Sequence, residues 1–114
     1  MTKDKHEKSQ AALEYDIFVP LVESSGQRYA ENVTQTIKRQ IVEFFGGMTD
    51  AHHANEGWWK VGGMTLRDEI VIWRILSDRG SEGDAFIRRI KKSLEEVLKQ
   101  DLILVIRRQV ETFV

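Results

Sequence analysis

From Asp68 to Leu76 the chain reads DEIVIWRIL, and both alternating sets of residues are apolar. Val71, Trp73 and Ile75 make one set, and Ile70, Ile72 and Leu76 make the other. Successive side chains of a strand point to opposite faces, so a strand here must have both faces covered. Only Arg74 breaks the pattern. Leu102 to Ile106 repeats it on a smaller scale, with Leu104 and Ile106 against Ile103 and Val105. A chain with two such strands needs a sheet with something packed on each side.

The remaining segments say what lies around those strands. Tyr15, Ile17, Val19 and Leu21 alternate with Asp16, Phe18, Pro20 and Val22, which predicts a first strand. After a turn at Ser24–Gly26, Tyr29, Val33, Ile37, Ile41 and Phe45 recur every four residues along one helical stripe. Gly46-Gly47 ends that helix, where a positive φ is commonly needed. A polar lead-in from Met48 gives way to a short second strand around Glu56-Gly57-Trp58-Trp59-Lys60, and Gly62-Gly63 supplies a hairpin turn. Asp78-Arg79-Gly80 closes the third strand. Ser81-Glu82-Gly83-Asp84 has the form of a capping box opening a second helix, whose buried stripe is Phe86, Ile90, Leu94, Val97 and Leu98. A last strand runs from Leu102 to about Val110, or as far as Val114.

The order β-α-β-β-α-β predicts an α+β ferredoxin-like sandwich: a four-stranded antiparallel sheet, order 4-1-3-2, with two helices on one face. Pro20 then belongs at a bulge or at the end of pairing, because it has no N–H to donate within a central strand. One core suits 114 residues that are 41% apolar. Residues 1–13 are expected to be a flexible, solvated arm, and residues 14–114 the single domain.

Composition narrows the function classes. With 17 Lys+Arg against 18 Asp+Glu, no charge excess points to nucleic acid or a membrane surface. The absence of cysteine excludes disulfides, thiolate zinc sites and a cysteine nucleophile. No apolar run is long enough for a membrane span or a signal-peptide core, so a cytoplasmic location is the simplest expectation.

Two helices cover only one sheet face, yet the other also carries large apolar residues. Soluble monomers rarely leave such a patch wet, and symmetric pairs are the commonest oligomers. A homodimer or higher assembly is therefore expected, with Phe18, Ile72, Val105 and Trp59 as candidate interface residues. Of the adjacent Trp58 and Trp59, one should turn inward with Trp73 and the other outward, to rim a pocket or anchor a contact.

Arg74, Arg107 and Arg108 interrupt apolar strands. Their ordinary use is ion pairing with Asp16, Asp68, Glu69 or Glu111, since an unpaired buried arginine is costly. Their functional use would be a small anionic ligand held by Arg74 with Arg107 or Arg108, near Trp58 or Trp59. His52 and His53, with Asp50 and Glu56 nearby, are metal-ligating types, but adjacent extended side chains diverge and no HxH or HxxxH spacing is present; no metal is expected. His52, His53 and Glu69 are the candidates for proton transfer, with Arg74 orienting an anion. No nucleophile elbow, P-loop or dinucleotide glycine motif occurs, and no cofactor is expected. Arg88, Arg89, Lys91 and Lys92 read as a solvated helix face balanced by Glu95 and Glu96. Ile17-Phe18-Val19 matches half of a base-stacking sheet, but Asp68–Leu76 lacks the other half.

Tyr15-Asp16-Ile17-Phe18-Val19, Phe44-Phe45-Gly46-Gly47-Met48-Thr49, Gly57-Trp58-Trp59 and Asp68-Glu69 resemble segments of small bacterial proteins with a ferredoxin-like fold. More distantly the chain is similar to dimeric α+β barrel proteins, which include cofactor-free monooxygenases and small-molecule-binding regulatory domains. The resemblance implies a fold and self-association, and no activity. The leading expectation is a homo-oligomeric accessory or interaction protein. The alternatives are a dimeric binder of a small anionic ligand or cofactor-free enzyme, and then a nucleic-acid binder.

Overall fold

The alternation at Tyr15, Ile17 and Val19 builds a central strand, β1 (Ser9–Pro20), in a computed structural model that describes residues 8–50 and 55–114. A 3-10 turn at Glu31–Thr34 leads into α1 (Gln35–Phe45), which closes on Gly46 at φ 89°, a conformation that side-chain-bearing residues avoid. Then follow β2 (Thr49–Asp50), β3 (Asn55–Val61), β4 (Met64–Ser77), α2 (Gly80–Val97) and β5 (Val105–Phe113).

β1 lies between β4 and β5, antiparallel to both. The outer edge of β4 is shared by β2 and β3. The sheet is thus antiparallel and five-stranded, not four-stranded: β3 is the expected second strand, and β2 is a further two-residue strand in the stretch expected to be an irregular lead-in. β4 is long enough for both, since β2 pairs at Trp73 and Arg74 while β3 pairs from Ile70 back to Met64. The order of elements and the shared helix side are those of a ferredoxin-like α+β fold.

Pro20 pairs with Ile70 at the last position of the β1–β4 ladder, where its missing N–H interrupts nothing. Several boundaries differ from expectation: α1 starts at Gln35 and not near Tyr29, and β5 starts at Val105 and not at Leu102. β1 starts at Ser9, because residues 9–13 pair with residues 109–113 of β5 and do not remain an arm. β4 starts at Met64, since residues 64–67 pair with residues 58–61 in the β3–β4 hairpin. α2 starts at Gly80 without a side-chain cap on its first turn. Ser77 Oγ accepts the Arg79 N–H at 3.0 Å, and Asp84 of the expected capping box bonds elsewhere.

Tyr15, Ile17 and Val19 of β1 and Val71, Trp73 and Ile75 of β4 pack with Ile37 and Ile41 of α1 and Ile87, Ile90 and Leu94 of α2. Burying each large aliphatic chain contributes about 1.5–3 kcal/mol. Register then fixes the other face. Glu14, Asp16 and Phe18 stand opposite Leu76, Arg74 and Ile72 of β4, with Arg108 and Ile106 on the β5 side. No helix among the described residues covers them.

Candidate functional site

The open face has a charged centre. Arg74 donates from Nε to Asp16 Oδ1 at 2.9 Å and from Nη2 to Oδ2 at 3.0 Å. Arg108 Nη1 reaches Asp16 Oδ2 at 2.9 Å and Glu14 Oε1 at 3.0 Å. Arg74 Nε also stands 3.5 Å from Glu14. Two guanidiniums and two carboxylates leave the cluster neutral. Asp16 is only 2% exposed although it faces away from the helices, because the two arginines roof it. The Arg74 hydrogen bond holds the Asp16 carboxyl below its ordinary range; burial opposes this, and Arg108 adds to it. Half-buried Phe18, Ile72 and Ile106 and half-exposed Leu76 surround the cluster.

Of the residues singled out in the sequence, Arg74 and Arg108 come together, with Phe18 and Ile72 beside them in register. Arg107 does not join them. Adjacent strand residues diverge, and Arg107 lies on the helix side, with Nη1 2.5 Å from Asp84 Oδ2. Asp84 also accepts the Tyr15 hydroxyl; burial, then that bond and the Asp84 charge, push the phenol well above its usual pKa.

Trp58 pairs with Arg67 in the β3–β4 hairpin, seven residues from Arg74 and so roughly 23 Å along the strand. Its side chain is 60% exposed. Trp59 pairs with Leu66 in the same hairpin. The expected anion clamp of Arg74 beside a tryptophan is therefore not assembled. Arg74 and Arg108 are also occupied by Asp16 and Glu14. Glu69 is held by Arg28 at 2.6 Å.

Val105, an expected interface residue, pairs with Ile17 and packs against the core on the helix side. Both sets of Leu102–Ile106 are apolar, so only pairing to β1 decides the phase, and it gives the open-face place to Ile106. Trp73 faces the helices, on the opposite side of the sheet from Phe18. His52 and His53 lie outside the described residues. Among the described residues no three His, Asp or Glu side chains stand close enough to hold a metal. Sequence reasoning missed the roles of Glu14 and Asp84. Both are charged residues whose partners lie far away in the chain, and only strand register reveals them.

No family model and no curated protein matches the chain. Among solved structures it is similar to a phage SAM lyase in the apo state, at 16% identity and TM-score 0.66, covering 91% of this chain and 89% of that one. A phage SAM lyase in complex with S-methyl-5'-thioadenosine matches at 14% identity and TM-score 0.64, covering 90% and 88%. The divalent cation tolerance protein CutA1 from Thermus thermophilus matches at 12% identity and TM-score 0.57, covering 89% and 84%. At these identities the likeness is one of fold.

Proposed function

We propose that this chain is a homo-oligomeric accessory protein of the cytoplasm that assembles through the open face of its sheet. The observation that carries the reading is Asp16, a carboxylate sealed from water on a face that no helix among the described residues covers. Its two arginine neighbours remain half-exposed, ringed by Phe18, Ile72, Ile106 and Leu76. Arginine is enriched at interface hot spots, and a neutral cluster can meet a copy of itself without net like-charge repulsion. Sheets pack face to face about 10 Å apart, with their apolar side chains interdigitating.

The outline of the molecule supports the same reading. Its principal extents are 59 × 28 × 25 Å and its radius of gyration is 16.6 Å. A compact chain of this length has a radius of about 13 Å. The β3–β4 hairpin carries Trp58 and Met64, both more than half exposed. A second copy gives these side chains something to pack on.

The test is Phe18→Asp and Ile72→Asp, each examined for fold by circular dichroism and for mass by light scattering. Folded variants that fall to the 13.2 kDa protomer support the reading. Folded variants that keep the native assembly overturn it.

A further inference from the structure

β5 ends the sheet, and among the described residues no strand pairs with its outer edge. Which of its backbone groups stand free follows from the inner side. Lys8 and Val114 exchange both backbone hydrogen bonds, and the Phe18 N–H donates to the Leu104 carbonyl at 3.0 Å. Bonded pairs alternate along an antiparallel ladder, so the even-numbered residues from Leu104 to Val114 direct their N–H and C=O groups at β1. Val105, Arg107, Gln109, Glu111 and Phe113 turn theirs outward. Such a row is a template for another strand, and natural edges are commonly blunted by proline, lysine or a bulge. Val105–Phe113 contains no proline or lysine, and its register with β1 runs unbroken from Ser9 to Ile17.

The side chains of the same five residues share the helix side of the sheet, and they complement their own reversed order. About a two-fold axis at Gln109, Val105 stands opposite the partner's Phe113 and Arg107 opposite the partner's Glu111. On the open face Arg108 meets the partner's Val110, so no like charges oppose each other. An axis at Arg108 would oppose that arginine to itself, and one at Val110 would set Arg107 against the partner's Phe113. Within one copy Phe113 is 66% exposed. Glu111 accepts the Ser9 hydroxyl and has no cation beside it among the described residues. Arg107 lines a cavity of about 290 Å³ with Arg88 and Lys91, where Asp84 is the acidic wall residue. Arg107 pairs with Asp84 and Lys91 with Glu95, which leaves Arg88 without a carboxylate among the described residues. The edge thus carries unmatched positive charge where a reversed copy brings a negative one.

We propose that β5 pairs antiparallel with the β5 of a second copy about a two-fold axis at Gln109, each Glu111 facing the other copy's Arg107. The sheet then continues across both chains. This contact uses the edge of the sheet and not its open face, so it stands independently of the assembly proposed above. A nine-residue edge makes a smaller contact than the about 1,200–2,000 Å² of stable interfaces, so the pair is weak and is read by covalent trapping rather than by mass.

The chain has no cysteine, so Gln109→Cys introduces a single thiol. In this register the two thiols share a bonded pair with Cα atoms about 5.5 Å apart, within disulfide range. Thr112→Cys is the collision control, because its two copies stand six positions out of register, roughly 20 Å along the strand. Under mild oxidation Gln109→Cys should form a covalent dimer at least about tenfold faster than Thr112→Cys, as a paired couple reacts at raised effective concentration. Adding Glu111→Arg, which opposes arginine to Arg107, should slow the Gln109→Cys reaction about tenfold. Adding Phe18→Asp instead should leave it unchanged, whereas a contact made through the open face would be lost. The proposal is overturned if Gln109→Cys reacts no faster than Thr112→Cys. It is equally overturned if Glu111→Arg, folded by circular dichroism, leaves the rate unchanged, or if Phe18→Asp, likewise folded, abolishes the cross-link.

Discussion

Asp16 and Arg74 face each other across β1 and β4 and share two hydrogen bonds, at 2.9 and 3.0 Å, on the side of the sheet away from the helices. Each holds the other in place: the carboxylate fixes the guanidinium plane, and the guanidinium with Arg108 seals the carboxylate. Asp16→Ala should cost about 1–3 kcal/mol, below the loss for a fully interior pair because Arg74 can turn to water. Urea denaturation of the variant measures it, and an unchanged midpoint would contradict the arrangement.

The same pair sets a pH dependence. The folded Asp16 carboxyl is held below its ordinary value by Arg74, and an unfolded aspartate titrates near about 3.9. The stabilisation is therefore fully present above that unfolded value, and it is lost as pH falls through the depressed folded one. Asp16→Asn removes this contribution. Its stability should fall less steeply with acid than the native protein's, as followed by urea midpoints at descending pH. Parallel curves would show that Asp16 is not the group responsible.

Tyr15 and Arg107 both bond Asp84 on the helix side, tying β1 and β5 to the first turns of α2. Tyr15→Phe should cost about 1 kcal/mol, and a Tyr15→Phe/Asp84→Ala cycle should return a coupling of about 0.5–3 kcal/mol. Additive single effects would mean the two side chains do not meet in solution.

Gly83 lies in α2, where alanine ordinarily stabilises a helix by about 0.5–1 kcal/mol over glycine. Here a Cβ would stand 2.7 Å from Ser77 Oγ and 3.4 Å from the Phe45 ring. Ser77 is buried and its oxygen accepts the Arg79 N–H, so it has little freedom to yield. Gly83→Ala should reverse the usual sign and destabilise by about 1–3 kcal/mol. A thermal melt raised by the substitution would refute the close approach.

The element order was legible because helix and strand periods differ so plainly between Ile37–Phe45 and Asp68–Leu76. The turns at Gly46 and Gly62-Gly63 were legible because φ is positive at Gly46 (89°), Gly62 (55°) and Gly63 (82°). Strand phase was harder. In Leu102–Ile106 both sets are apolar, and only the pairing of Val105 with Ile17 turns Val105 inward. β2 could not be seen, since a two-residue strand at Thr49–Asp50 leaves no periodicity. Ser81–Asp84 misled for a local reason: a capping-box pattern cannot show that a tyrosine and an arginine claim its aspartate. Arg74 and Arg108 were recognisable as paired arginines, but that they share Asp16 depends on the register of three strands.

Assembly through the open face, as proposed, covers Phe18 and Ile72 with another copy of the chain. Size-exclusion chromatography with light scattering on the native protein at about 100 μM, where even micromolar association is saturated, tests it most directly. The expected mass is a whole multiple, two or more, of 13.2 kDa. A single species at 13.2 kDa would contradict it.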